Sequence, residues 1–197
     1  MRSHLRPALV LTLVLCAITG LLYPGVVTAL AQLLFPYQAN GSLIVVDGRN
    51  VGSALIGQSF ARPGYFHPRP SAAGAGYDAT ASAGTNKGPT DRKLADTLVV
   101  AAIDEAVARD GAIRGQVPAD RATHSASGLD PHISPANAQM QVARVATARG
   151  VDSAAVRAVV DRTTEGRQFG VFGEPRVNVL RLNLAIDSTF PAGGRSQ

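Results

Sequence analysis

The beginning of this chain restricts it most. Arg2 and Arg6 are followed by an uncharged stretch from Pro7 to Val46, and its centre, Ala8 to Ala31, is almost wholly apolar. As a helix those residues would measure ~36 Å at ~1.5 Å per residue, more than the ~30 Å hydrocarbon core of a bilayer. The run can cross a membrane, and the rest of the chain must then lie on one side of it.

Two readings of the run compete. A secretory signal peptide would use Arg2 and Arg6 as its charged lead, Ala8 to Tyr23 as its core, and Ala29-Leu30-Ala31 before Gln32 as its cleavage site. A retained anchor is favoured by the apolar residues that continue through Val26, Val27, Leu30, Leu33, Leu34 and Phe35, beyond the ~7–15 residues of a signal core. Pro24-Gly25 would kink such a helix without ending it. Arg2 and Arg6 hold the leading end in the cytoplasm, so the bulk of the chain is expected outside. Ala8, Thr12, Cys16 and Gly20 recur every four residues, a small-residue stripe suited to contact with a partner helix.

Without the anchor about 155 residues remain, enough for one domain with a real core. All 14 acidic residues and 17 of the 19 basic ones lie from Asp47 onward, a balance of only +3 that gives no footprint for nucleic acid. Cys16 is the one cysteine, so the domain has no disulfide and no cysteine-ligated zinc.

Pro36 to Gly41 reads as the membrane exit, with Tyr37 at the headgroup level. Ser42–Val46 and Ser53–Gln58, separated by Asp47-Gly48-Arg49-Asn50, read as a hairpin. Phe60 to Pro89 is rich in Gly, Pro, Ser and Ala yet keeps Tyr65, Phe66 and Tyr77, which points to an ordered irregular loop. Leu94 to Arg109 has a helical period wide enough to bury most of one side, closed by Gly111. Ser134-Pro135 and Gly150 bracket a second helix, and Asp152 caps a third that runs to about Thr163. Val177 to Asp187 reads as a strand, because Leu180, Leu182, Leu184 and Ile186 alternate with polar or small residues; Val177 and Val179 are out of phase, which suggests a bulge near Val179 and Leu180. The expected organisation is α+β: residues 1–36 as cytoplasmic end and transmembrane helix, 37–190 as one mixed extracytoplasmic domain, and 191–197 as a disordered tail.

The motifs offer little catalytic logic. Ser127, Asp130 and His132 lie close in sequence, and a membrane-anchored or secreted hydrolase is the alternative they raise, but no Gly-x-Ser-x-Gly elbow is present. A turn rigidified by Asp130-Pro131 is the plainer reading. His67, His124, Asp130 and His132 lack the spacing of a metal site, so no metal is expected. Gly84-Thr-Asn-Lys-Gly-Pro89 fails the spacing of a phosphate loop and reads as a surface turn. Tyr65-Phe-His-Pro-Arg-Pro-Ser71 is extended by its prolines and offers Tyr65, Phe66, His67 and Arg69 either to its own domain or to a partner.

Five colinear blocks carry a resemblance: Gly52-Ser-Ala-Leu-Ile-Gly-Gln58, Tyr65 to Ser71, Ser127-Gly-Leu-Asp-Pro-His-Ile-Ser-Pro135, Ala143-Arg-Val-Ala-x-Ala-Arg-Gly150 and Gly173-Glu-Pro-Arg-Val-Asn-Val-Leu180. Together they resemble the C subunit of Kdp-type potassium-transporting ATPases, from Arg6 to Asp187. The resemblance implies a retained single span in the cell membrane and a non-enzymatic accessory role. The implied partners are a channel-like potassium-translocating subunit, a P-type ATP-hydrolysing subunit and a small membrane peptide. It further implies a catalytic chaperone that raises the pump's ATP affinity, with no tightly bound cofactor and ATP reached through the ATP-hydrolysing subunit. Gln58 is the nearest match to a nucleotide-related glutamine. The candidate subunit contacts are Thr12, Cys16 and Gly20 on the small-residue stripe, Tyr65, Phe66, His67 and Arg69 on the proline-extended loop, and Asp130 and His132.

Overall fold

The computed structural model describes residues 2–191, with side chains from residue 4 onward. The expected disordered tail therefore lies outside the described residues except for Pro191. The chain divides after Val51 into two compact units.

The first unit is dominated by one continuous helical rod: α1 (Arg2–Ala17), a π-helical turn (Ile18–Leu22) and α2 (Tyr23–Leu34). Pro24 does not end it. Proline lacks an N–H and crowds the carbonyl four residues back, and the wider turn just before it absorbs that mismatch. The stretch His4–Leu34 contains an 18-residue window of mean hydropathy 2.2 and is long and apolar enough to cross a membrane. A short α3 (Pro36–Ala39) follows, closed by the Tyr37 hydroxyl donating to Ser42 O at 3.1 Å.

β1 (Leu43–Val46) and β2 (Arg49–Ser53) form the expected hairpin, but with a shorter turn and an earlier second strand than the sequence suggested. Asp47 and Gly48, at φ 50° and 74°, supply the two left-handed residues that match the twist of paired strands. Arg49 and Asn50 consequently belong to the strand, and Leu55–Gln58 to the irregular chain after it.

In the second unit, residues 60–89 are irregular, as their composition indicated. A π-helical stretch (Leu94–Val99) then leads into α4 (Val100–Asp110), ended by Gly111 at φ 66°. Its apolar side is covered less than its period predicted: Ala102 and Ala106 are buried, while Val100 and Val107 stay exposed. A 3-10 turn (Arg114–Gln116), α5 (Ala119–Ala122) and β3 (His132–Ile133) follow.

α6 (Pro135–Arg149) forms between the predicted cap and stop. Ser134 Oγ accepts from Asn137 N at 3.1 Å, and Gly150 takes the left-handed conformation. α7 (Ser153–Thr163), capped by Asp152, buries Val156, Val159 and Val160. β4 (Thr164–Glu165) and β5 (Arg176–Asn178) complete a three-stranded antiparallel sheet ordered β3-β5-β4, with His132 opposite Asn178 and Thr164 opposite Val177.

The last element corrects the sequence reading. Only Arg176–Asn178 is strand; Val179–Thr189 is helix α8, and no bulge occurs at Val179 or Leu180. Asn178 leaves the sheet and caps the helix, its side chain accepting from Arg181 N at 3.1 Å. Val179, Leu182, Asn183 and Ile186 are buried at helical spacing, whereas Leu184 is only half-buried. The core forms where α6, α7 and α8 meet the sheet, around Val142, Val145, Val156, Val160, Val177 and Leu182.

Candidate functional site

The Tyr65–Ser71 segment is the centre of the domain's polar architecture. It belongs to no strand, and between its backbone-paired ends, Tyr65 N to Arg62 O and Ser125 N to Pro70 O, its buried backbone groups are satisfied by side chains. Asn183 of α8 takes both groups of Phe66: Oδ1 accepts from Phe66 N at 2.8 Å and Nδ2 donates to Phe66 O at 3.0 Å. Gln141 of α6 does the same for His67, accepting from N at 2.8 Å and donating to O at 3.0 Å. Arg144 donates to Tyr65 O at 2.8 Å and also to Pro63 O, and Arg149 donates to Gly64 O at 3.0 Å.

Beneath this clamp lies an ionic cluster. The Asp110 carboxylate, with 0% of its side chain exposed, accepts from Arg144 Nε at 2.6 Å and lies 3.6 Å from Arg121 Nε. Arg144 Nη2 also donates to Gln141 Oε1 at 2.7 Å, which ties the cluster to the clamp. Asp120 extends the network by accepting from Ser134 N at 2.8 Å and from Asn137 Nδ2 at 3.0 Å, while Gln141 donates to Asn137 Oδ1 at 2.9 Å.

His67 lies in these surroundings, 4% exposed. Burial, with Arg144 and Arg109 nearby, lowers its pKa to about 3, so the ring is neutral at physiological pH. It lines a polar cavity of about 370 Å³ together with Tyr77, Glu105, Arg109, Arg121 and His124. Burial pushes the Tyr77 hydroxyl up to about 12, and it donates to Arg69 O at 2.5 Å.

Arg69 joins the loop to the Asp130 turn. Its Nη1 donates to Asp130 Oδ2 at 3.2 Å, and Nη2 to Thr123 Oγ1 at 3.4 Å and His124 O at 3.3 Å. Asp130 Oδ1 accepts from His132 N at 2.9 Å, and the His132 ring lies 3.7 Å from the same oxygen. Burial opposes ionisation of Asp130, but the hydrogen bonds from His132 and Arg69 outweigh it and hold the carboxyl below its ordinary range. Ser127 Oγ accepts from Leu129 N at 3.1 Å, a local turn contact. Among the described residues no three His, Cys, Asp or Glu side chains are grouped to hold a metal.

The Gly52–Gln58 block packs on the same turn. Gly57 N donates to Leu129 O at 2.8 Å, and a Cβ on Gly57 would fall 2.6 Å from Asp130 O. Gln58 is half-buried with its side chain over Gly52, where a Cβ would collide with it. Asn178 Nδ2 donates to Ala54 O at 2.8 Å.

The residues singled out from the sequence therefore separate into groups. Phe66 is fully buried and His67 nearly so, both inside their own domain. Tyr65 is half-buried, with its hydroxyl donating to Asp187 at 3.0 Å and Arg149 stacked 4.8 Å over its ring. Arg69, Asp130 and His132 form one half-buried joint. Thr12, Cys16 and Gly20 lie on the exposed surface of the helical rod, and a Cβ on Gly20 would meet nothing within 4 Å. Gln141, Asn183, Asp110 and Arg121 escaped the sequence reading. A polar side chain on the buried stripe of an amphipathic helix, as Gln141 and Asn183 are, was the available signal.

Residues 5–188 match the family described as KdpC, the c chain of the K+-transporting ATPase. A potassium-transporting ATPase KdpC subunit from Gemmatimonas aurantiaca is 64% identical over 189 residues, covering 95% of this chain and 94% of the relative. One from Myxococcus xanthus is 58% identical over 192 residues, covering 96% and 90%. One from Koribacter versatilis is 50% identical over 191 residues, covering 97% of both.

Proposed function

We infer the role of this chain from one premise: it belongs to the KdpC family, the c chain of the K+-transporting ATPase. It is an accessory subunit of potassium uptake. The match over residues 5–188, which takes in the apolar helix as well as the domain, carries this reading.

The finer role proposed is assembly and regulation without chemistry of its own. The helix anchors the chain beside a channel-like potassium-translocating subunit, a P-type ATP-hydrolysing subunit and a small membrane peptide. The domain lies outside the cell and covers the potassium uptake side. Arg6, with Arg2, at the head of the helix supports that orientation, because positive charge stays cytoplasmic while a long following domain is translocated. A non-catalytic role is supported by the Ser127, Asp130 and His132 contacts, which are those of a turn. The subunit raises the ATP affinity of the ATP-hydrolysing partner as a catalytic chaperone. With the domain outside, that effect is transmitted through the assembled subunits and needs no ATP contact at Gln58.

The test uses the whole complex. In a Cys16→Ser background, Ser188→Cys places a thiol on an exposed residue. A membrane-impermeant maleimide should label it in intact cells; labelling only after permeabilisation would reverse the orientation. The ATP concentration giving half-maximal ATPase activity should rise when the complex is assembled without this chain; an unchanged value would remove the chaperone role.

A further inference from the structure

β4 and β5 are joined by a hairpin, residues 166–175, in which every residue is exposed. At its tip Phe169 is 94% exposed, Val171 70% and Phe172 66%. The domain's other phenylalanines, Phe60, Phe66 and Phe190, lie in its core or pack against it. A Cβ added at Gly166, Gly170 or Gly173 would meet nothing within 4 Å, so the hairpin stands clear of its domain.

The display is built rather than loose. Gln168 and Phe172 exchange backbone hydrogen bonds, both at 2.9 Å, and Arg167 Nη2 donates across the base to both oxygens of Glu174, at 2.9 and 2.8 Å. Phe169 takes φ 53°, a left-handed conformation unfavourable for a bulky side chain, directly before Gly170 at 74°. Asparagine, aspartate or glycine would suit that turn position better. The fold thus combines local backbone strain with an aromatic ring held in water, a combination that marks a functional tip.

Three observations select lipid as the occupant. The N–H groups of Gln168, Gly170, Val171 and Phe172 are bonded inside the hairpin at 2.9–3.1 Å, so the turn can leave water without stranding those donors. Charges at the base are paired, Arg167 with Glu174 and both Arg176 and Arg181 with Glu165, and no acidic residue lies from Gly166 to Gly173. No strong charge of either sign directs the tip to an ionic partner. Two phenylalanines and a valine offer roughly 500 Å² even when fully covered, less than the ~800 Å² that each side contributes to a specific protein interface. Lipid needs no complementary surface, and the helix His4–Leu34, able to cross a membrane, keeps the domain within reach of a bilayer.

We propose that the hairpin tip is a second membrane contact, with Phe169, Val171 and Phe172 dipping into the apolar margin of the lipid bilayer. The contact rests on the anchored reading given above, and it would fix the tilt of a domain otherwise held only by its leading helix.

The chain contains no tryptophan, so Phe169→Trp gives a single fluorescent probe and keeps an aromatic ring at the tip. The full chain carrying it is reconstituted into phosphatidylcholine vesicles with and without brominated acyl chains. Its emission should shift to the blue and lose intensity in brominated lipid. Ile113→Trp, at a residue 64% exposed elsewhere in the domain, should keep the emission of an indole in water. Val171→Asp added to Phe169→Trp should return the probe to water. Leu13→Trp, on α1, is the positive control for the anchor. Quenching of Leu13→Trp with none of Phe169→Trp would overturn the tip contact and leave the anchor standing; quenching of neither would remove both. Equal quenching of Ile113→Trp, or full quenching despite Val171→Asp, would also overturn the proposal. In the assembled complex, Phe169→Cys in a Cys16→Ser background carries a bimane label that spin-labelled lipid should quench. A blue-shifted label that such lipid does not quench would put the tip in a partner subunit's pocket and overturn the membrane contact.

Discussion

Gln141 holds both hydrogen-bonding groups of the His67 backbone, accepting from its N–H at 2.8 Å and donating to its carbonyl at 3.0 Å. A side-chain amide thus stands where a neighbouring strand would otherwise be. Asn183 repeats the arrangement one residue earlier, at Phe66. The two amides let an irregular segment run through the core at positions that are 0% and 4% exposed.

Gln141→Leu keeps the volume and removes the pairing. It leaves the His67 N–H and C=O buried without partners and deprives Arg144 of one contact, so stability should fall by about 3 kcal/mol or more. Urea unfolding of the detergent-solubilised chain measures it. A loss below about 1 kcal/mol would show that the clamp is dispensable.

Asp110→Ala should be more damaging than removal of an exposed carboxylate. It strands the Arg144 guanidinium, 9% exposed, and leaves that of Arg121, 3% exposed, with only the 3.4 Å contact to Glu105 among the described residues. Breaking a buried ion pair from one side costs about 3–5 kcal/mol, while Asp104→Ala, at an exposed pair with Arg114, should cost less than about 1 kcal/mol. Comparison of the two melting temperatures decides it.

His67 makes stability depend on pH. Its folded pKa of about 3 lies below its ordinary 6.5, so the unfolded chain takes up the proton first. The contribution is complete above pH 6.5 and is lost as pH falls from there toward 3, by at most about 1.4 kcal/mol per pH unit. Asp130, also held low, adds its loss only beneath the ordinary carboxylate range. His67→Asn should lessen the fall of the melting temperature between pH 6.5 and 4, with His124, whose pKa burial also lowers, still contributing; an unchanged slope there would remove His67 as a source.

Gly57→Ala tests the joint between the Gly52–Gln58 block and the Asp130 turn. The added methyl would sit 2.6 Å from Asp130 O, so the two segments must part, at a cost of about 1–3 kcal/mol. Gly88→Ala, where nothing lies within 4 Å, is the control and should change stability little.

Gly20→Leu separates membrane assembly from folding. Beyond the helix's own backbone nothing among the described residues lies within 4 Å of the added carbon, so the domain's melting temperature should not move. If the Thr12, Cys16 and Gly20 surface packs on a partner helix, co-purification with the partner subunits should drop. Full co-purification would remove that surface from the assembly.

The helices with strong punctuation were readable from the chain alone. Ser134-Pro135 and Gly150 delimit α6 because capping and left-handed closure are local events, settled within a few residues. The apolar rod from His4 to Leu34 was readable for a similar reason, since length and composition suffice. α8 was not. Its leucines at 180, 182 and 184 mimic a strand, and the buried Asn183 hides the helical stripe that Val179, Leu182 and Ile186 complete. Nothing nearby in sequence explains a buried asparagine there; its partner is the Phe66 backbone, 117 residues away.

By itself the sequence determined a helix long and apolar enough to cross a membrane, a disulfide-free mixed domain, the ends of α6 and α7 and the irregular course of residues 60–89. Those properties depend on hydropathy, capping and turn chemistry, which act over short distances along the chain. Only the tertiary structure decided that the irregular segment is core and that Asp110 is the counterion of two buried arginines. Each of these depends on groups brought together from distant parts of the chain, where burial sets the cost of every unpaired polar atom.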